Sequence, residues 1–297
     1  MKRPLINVCT AALSLLFLNS CSNGGLFGSG IPATLEEAWA TDNTLKTPES
    51  VLHDEQRNVL YVTNINQTSS AANKDGDGFV SILSLDGDIE QLYWVTGLND
   101  PKGMALFNNV LYVADLDEIV AIATQSGSIL GRYKADGAKF LNDVTVATDG
   151  TVFVSDSDMN RIYQLRNGRV STFIQDTKED NRPNGLLFES NRLIIAFSGS
   201  GVARFYDPNR KQVSDWTEGI PSADGVVRAS TNGYFISNWN GEVYYVNKDG
   251  RNWKVLDTKD SKVNAADIEI NTRDRLLYVP TFFDNRVVAY RISGAGL

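Results

Sequence analysis

One short pattern recurs along this chain and leaves little freedom in what it can fold into. Apolar runs of three residues stand at Leu60-Tyr61-Val62, Leu111-Tyr112-Val113, Val152-Phe153-Val154, Leu193-Ile194-Ile195, Tyr234-Phe235-Ile236 and Leu277-Tyr278-Val279. Their central residues are 51, 41, 41, 41 and 43 positions apart. A repeat of about 40 residues is the period of a propeller blade. Each run is followed by a second β-branched and aromatic stretch, such as Asn160 to Leu165 or Glu242 to Val246. A turn with Gly or Asn comes next, as in Arg166-Asn167-Gly168 or Lys248-Asp249-Gly250, where those residues supply positive φ. A further strand closes the unit, for instance Val170 to Ile174 or Trp253 to Leu256. Helical periodicity is nearly absent, so the pattern predicts an all-β, six-bladed β-propeller with four antiparallel strands per blade.

Two irregularities refine that expectation. The long first step is explained by an insertion from Gln67 to Gly78 within the first blade. The sixth repeat ends after Tyr290-Arg291-Ile292 without an outer strand, whereas Leu35 to Thr41 supplies a strand-like run with no partner of its own. The N-terminal strand is therefore expected to complete the last blade, closing the ring and covering an exposed edge.

The residues before that strand read differently. Lys2 and Arg3 precede a largely apolar stretch from Leu5 to Leu18, which ends at Leu18-Asn19-Ser20-Cys21. This is the layout of a cleaved secretory leader, and its last four residues resemble the bacterial lipobox, whose cysteine is lipidated. The expected organisation is a leader over residues 1–20, a Gly/Ser-rich tether over 21–33 and the propeller over 34–297. Ser22 after Cys21 resembles outer-membrane lipoproteins, so an exported protein anchored to the cell envelope is expected. An ordinary leader with an incidental cysteine is the alternative. Only Cys9 and Cys21 occur, so no disulfide is available to the propeller, and a core must stabilise it.

The formal charge is −8, and removing Lys2 and Arg3 with the leader takes two positive charges away, to −10. An acidic surface disfavours nucleic acid and anionic lipid as partners; a monomer acting on a small molecule is expected. Counting back ten to twelve residues from the six central positions gives Glu49, Lys102, Asn142, Asn184, Asp224 and Asp267. Equivalent positions of a propeller converge in a ring about its axis, and five of these six carry oxygen donors. Such a set suits calcium better than magnesium, and the single histidine, His53, argues against zinc.

The quartet Glu49, Asn142, Asn184 and Asp224, in Pro-Glu-Ser-Val, Leu-Asn-Asp-Val, Arg-Pro-Asn-Gly-Leu and Ala-Asp-Gly-Val, resembles the senescence marker protein/gluconolactonase-like superfamily. Paraoxonase and diisopropylfluorophosphatase are related six-bladed calcium propellers. The resemblance spans about residues 35 to 292. It implies that the quartet holds one catalytic divalent cation, with Asp224 also acting as base or nucleophile in hydrolysis of a lactone or related ester. Phe140 stands where gluconolactonases place a substrate-binding arginine, and paraoxonase histidines have no counterpart. Phe140, Lys102 and Asp267 complete the substrate-pocket candidates.

Blander readings stand beside these. Asn and Asp cap turns for structural reasons, and Asp143 and Asp267 suit either turn formation or orientation of a ligand. The run Asn73-Lys74-Asp75-Gly76-Asp77-Gly78 resembles half an EF-hand loop, but Ser84 occupies the position of the bidentate glutamate, so a polar hairpin is expected. One histidine cannot furnish a convincing Ser-His-Asp triad. A non-catalytic envelope scaffold with a structural ion is the competing function, because the fold alone does not choose between them.

Overall fold

A computed structural model describes residues 31–66, 74–175 and 181–297. The leader, Cys21, residues 21–30 of the tether and Asn73 of the EF-hand-like run lie outside these described residues. Among those described, 24 strands form six separate four-stranded sheets. The first strands of the blades are Pro48–Asp54, Pro101–Phe107, Leu141–Val146, Pro183–Glu189, Ala223–Ser230 and Glu269–Asn271. Each touches the next around a closed circuit, the last meeting the first, so they line the axis. This is the expected six-bladed β-propeller.

The apolar triplets explain why the sheets stand side by side. Successive side chains of a strand point to opposite faces, so the middle residue faces one neighbouring blade and its flanks the other. Tyr61 joins the cluster shared with blade 2, whereas Leu60 and Val62 join the cluster shared with blade 6. Phe153 packs forward onto blade 4, and Val152 and Val154 pack back onto blade 2. The same division holds at Ile194, Phe235 and Tyr278. Six apolar clusters occupy the six interfaces between blades, which is why all three positions of each run are apolar.

The ring closes as expected. Strand Ala33–Ala40 pairs antiparallel with Val287–Gly294, placing Leu35 opposite Ile292 and Trp39 opposite Ala289. It becomes the outer strand of a sheet whose other three strands come from the C-terminal repeat. Trp39 reaches inward to Tyr278, with ring centroids 5.7 Å apart. Residues 67–73 of the insertion lie outside the described residues, and its remainder leads into strand Gly78–Ser84, which pairs with Val59–Asn64 in blade 1.

Candidate functional site

Strand pairing settles which residues share a level around the axis. The central residues of the triplets pair with Leu52, Ala105, Thr145, Leu187, Val227 and Glu269. Three positions before each of these lie Glu49, Lys102, Asn142, Asn184, Asp224 and Ala266. The sixth place therefore belongs to Ala266, and the assignment of Asp267 to this ring is corrected. Asp267 stands one step further along, level with Ser50, Gly103, Asp143, Gly185 and Gly225. Its backbone N–H donates to Glu49 O, and it forms a parallel bridge with Ser50. The reason for the shift lies in the turns. Blades 1 and 6 have four residues between their first two strands and blade 2 only two, so one fixed count cannot hold the phase.

Beneath the upper ring the first strands approach very closely. A Cβ at Gly185 would lie 1.9 Å from Asp224 O, so no other residue fits without displacing backbone. Asp143 and Asp267 tie neighbouring blades together at this level. Val144 N donates to Asp143 Oδ1, and Leu186 N of blade 4 donates to Oδ2, both at 2.6 Å. Ser50 Oγ of blade 1 donates to Asp267 Oδ2, also at 2.6 Å. Both aspartates are links between blades, not turn residues.

In the upper ring Glu49, Lys102, Asn142, Asn184 and Asp224 are each between 2% and 7% exposed. The Asn184 amide donates to Asp224, and Asn142 Nδ2 donates to Ser157 Oγ at 3.2 Å. Among the described residues nothing donates to two acceptors of this ring, Glu49 Oε2 and Asn184 Oδ1. Orphaned buried acceptors are costly, by about 1–3 kcal/mol each. Lys102 Nζ pairs with Asp100 Oδ2 at 3.0 Å and sits 4.7 Å above the Phe140 ring. Phe140 therefore carries the lysine at the edge of the ring, instead of replacing an arginine in kind.

The electrostatics follow from burial. Loss of solvation, then the charge of Asp224, pushes the Glu49 carboxyl well above its ordinary range. Burial and then Asp267 do the same to Asp224, against the pull of Lys102 and the Asn184 amide. Asp143 is raised by burial and by Asp267, and Asp267 itself is pushed up to about 7 by burial. Four buried acids thus face one ammonium that already has a partner. A hard divalent cation held by Glu49, Asp224 and the amide oxygens of Asn142 and Asn184 fits this charge deficit and the two orphaned oxygens. Among the described residues no three His, Cys, Asp or Glu side chains converge on a metal-sized point, so the amide oxygens are essential to such a site.

Below Asp143 and Asp267 a cavity of about 500 Å³ runs along the first strands to the opposite face. Glu269 lines it, and burial pushes that carboxyl up to about 7. His53, half-buried beside it, has its imidazole pushed down by burial. An unfolded Asp or Glu titrates near about 4. At Asp267 and Glu269 the folded chain therefore binds more protons than the unfolded chain between about pH 4 and 7, while His53, pushed down, acts in the opposite sense. The stability from Asp267 and Glu269 is present below that interval and is lost as pH rises through it. In metal-free buffer the melting temperature should fall from pH 5 to pH 8. Glu269→Gln should remove part of this slope, about 1.4 kcal/mol per pH unit for each proton involved. An unchanged slope in the variant would contradict this account.

Several supporting residues escaped the sequence reading. Asp115 accepts from Asn99 N and Asp100 N, fixing the loop that carries Lys102. Asp156 accepts from Lys139 N and Phe140 N, and Asn64 from Lys46 N. The signal was present: Asn64, Asp115, Asp156 and Asn238 each lie three residues after a central triplet position.

No protein-family model matches the sequence, and no curated protein matches it. Solved structures do. A catalytically inactive virginiamycin B lyase from Staphylococcus aureus, with quinupristin, aligns with TM-score 0.62 at 11% identity, over 87% of this chain and 99% of that one. A streptogramin B lyase gives TM-score 0.62 at 12% identity, over 88% and 98%. A chain of a nidogen/laminin complex gives TM-score 0.56 at 20% identity, over 68% and 76%. Identities of 11–20% carry the architecture and nothing finer: the chain is similar to these proteins as a six-bladed β-propeller.

Proposed function

We propose that the chain is a divalent-metal-dependent hydrolase of a lactone or related ester, gluconolactonase-like, with calcium as its ion. The observation that carries this reading is the pair of donorless buried oxygens, Glu49 Oε2 and Asn184 Oδ1, in a ring shared with Asp224. When bound, the ion supplies polarisation of the ester carbonyl and stabilisation of the developing oxyanion. The chain supplies the rest. Asp224 takes the proton of the attacking water as general base, the Asn184 amide holds its carboxylate in place, and the same proton passes to the departing alkoxide. A lactone opens to its hydroxy acid with atoms and charge balanced. Direct attack by the Asp224 carboxylate, with water then releasing the acyl group, is the variant of this route. Phe140 and Lys102 wall one side of the ring. The lyase neighbours do not redirect the reading. Replacement of one histidine by alanine accompanies loss of catalysis in the inactive lyase. Here the single histidine, His53, stands four residues beyond Glu49, about 13 Å along the strand.

The proposal includes export and anchoring to the outer membrane through a lipid on Cys21; Cys21→Ser should abolish fatty-acid labelling of the protein, and equal labelling of variant and wild type would refute the anchor. A panel of lactones and esters, assayed with calcium and then with chelator, tests the chemistry. Chelator-sensitive turnover is expected. A second reading, a non-catalytic binding or scaffold propeller with a structural ion, is favoured by Phe140, which stands where gluconolactonases place a substrate-binding arginine. Metal-dependent melting without turnover of any panel member would establish that reading.

A further inference from the structure

The rim around this ring is chemically lopsided. In blades 3 and 4 the turns after the second strand are polar, Ser157-Asp158-Met159-Asn160 and Ser198-Gly199-Ser200-Gly201. In blades 5 and 6 the equivalent turns carry Trp239 and the pair Phe282-Phe283. The three rings meet edge to face: Trp239 to Phe282 at 5.4 Å, Trp239 to Phe283 at 6.0 Å and Phe282 to Phe283 at 4.7 Å.

Hydrogen bonds to backbone groups fix this cluster beside the ring. Trp239 N donates to Ser222 O at 3.0 Å, two residues before Asp224. Asn264 Nδ2 donates to Trp239 O at 2.8 Å, two residues before Ala266. Thr47 N donates to Asn285 Oδ1 at 2.8 Å, two residues before Glu49. Phe282 packs with Ile65 and Ala266, so the apolar sixth position of the ring continues into the cluster.

Phe282 holds φ at 50°, a left-handed conformation that bulky residues rarely adopt and that Leu116 shares at the equivalent turn of blade 2. The turn is locked there by Thr281, whose Oγ1 donates to Arg286 O and accepts from Arg286 N. Phe283, the neighbour this turn presents, is 59% exposed. A rigid turn that holds an aromatic ring in water beside a buried polar ring is the composition of a ligand site, apolar walls around a few polar groups.

We infer that Trp239, Phe282 and Phe283 form a subsite for an aromatic substituent of the ligand, so that the chain prefers aryl-bearing compounds to polyhydroxylated sugar lactones. The inference rests on the proposed ring site for its reacting end, but not on turnover for its own test. Three lactones serve as probes: γ-butyrolactone, γ-phenyl-γ-butyrolactone and glucono-δ-lactone. Binding of 4-phenylbutyrate by calorimetry gives a readout independent of catalysis. Calcium-loaded wild type should favour the phenyl lactone over both others by at least about tenfold in kcat/KM. Phe283→Ala, at an exposed position that folding does not require, should bring that ratio near one and weaken 4-phenylbutyrate binding about tenfold. If no lactone is turned over but 4-phenylbutyrate binds and the variant weakens it, the subsite stands and the hydrolase reading falls. If lactones are turned over with no phenyl preference, the subsite is refuted and the hydrolase reading stands. Absence of both binding and turnover overturns both.

Discussion

A chain beginning at Pro48 should lose the cooperative thermal transition shown by a chain beginning at Ile31. The missing segment is an integral strand of the last blade, since Ala33–Ala40 pairs along its length with Val287–Gly294. Its removal strips Leu45, which has no exposure, from the interface between blades 6 and 1. It also removes Trp39, which packs on Tyr278 and against Gly87. Full burial of one large apolar side chain contributes about 1.5–3 kcal/mol. With the strand ladder, the loss reaches about 5 kcal/mol, comparable to the whole net stability of many domains. The bared edge of Val287–Gly294 would also invite aggregation. Differential scanning calorimetry of the two chains is the check. Melting within a few degrees of the longer chain would show that closure resides in the interface between blades alone.

Asp224→Asn should lower turnover by at least about 10³-fold while raising the stability of the metal-free protein. The first effect is loss of the base and of a charged ligand. The second follows from the ring, where Asp224 is buried among Glu49, Asp143 and Asp267 and pushes Glu49 upward. An amide keeps the shape and an acceptor for Asn184, and it removes one unbalanced charge. Relief of a poorly compensated buried charge is worth about 1–3 kcal/mol, or about 2–4 °C in Tm per kcal/mol at this size. Calcium should raise the Tm of the wild type and leave that of the variant nearly unchanged. Hydrolysis at the wild-type rate by Asp224→Asn would remove Asp224 from the chemistry. A lower metal-free Tm would show that its charge is compensated in the fold.

Most of the architecture was legible because it depends on periodicity. The apolar triplets encode two buried faces per blade, and their spacing encodes six blades, so Tyr61, Phe153 and Phe235 announce their neighbours from the repeat alone. Leu35 to Thr41 could be matched to the unfinished sixth repeat for the same reason. The ring was legible where the repeats keep phase: Glu49, Lys102, Asn142, Asn184 and Asp224 share one level. It failed at Asp267, because turn length between the first two strands varies and counting cannot see which residues pair.

The aromatic rim was harder to see. Trp239 and Phe282 share a phase, four residues after a central triplet position, but Ile65, Leu116, Ser157 and Ser198 hold it in the other blades, so the phase announces no aromatic cluster. Only the closed ring brings the turn of blade 6 against the loop before Glu49 and the turn of blade 5 against the loop before Ala266. The sequence by itself determined the number of blades, the strand that closes them and the polar character of the axial ring. Tertiary structure alone decided that Ala266, not Asp267, completes the ring and that Asp143 and Asp267 link neighbouring blades. It also left Glu49 and Asn184 with oxygens facing no donor. The physical reason is that periodicity is a property of local strand geometry, whereas level, contact and unmet hydrogen bonding arise only when distant strands meet at the axis.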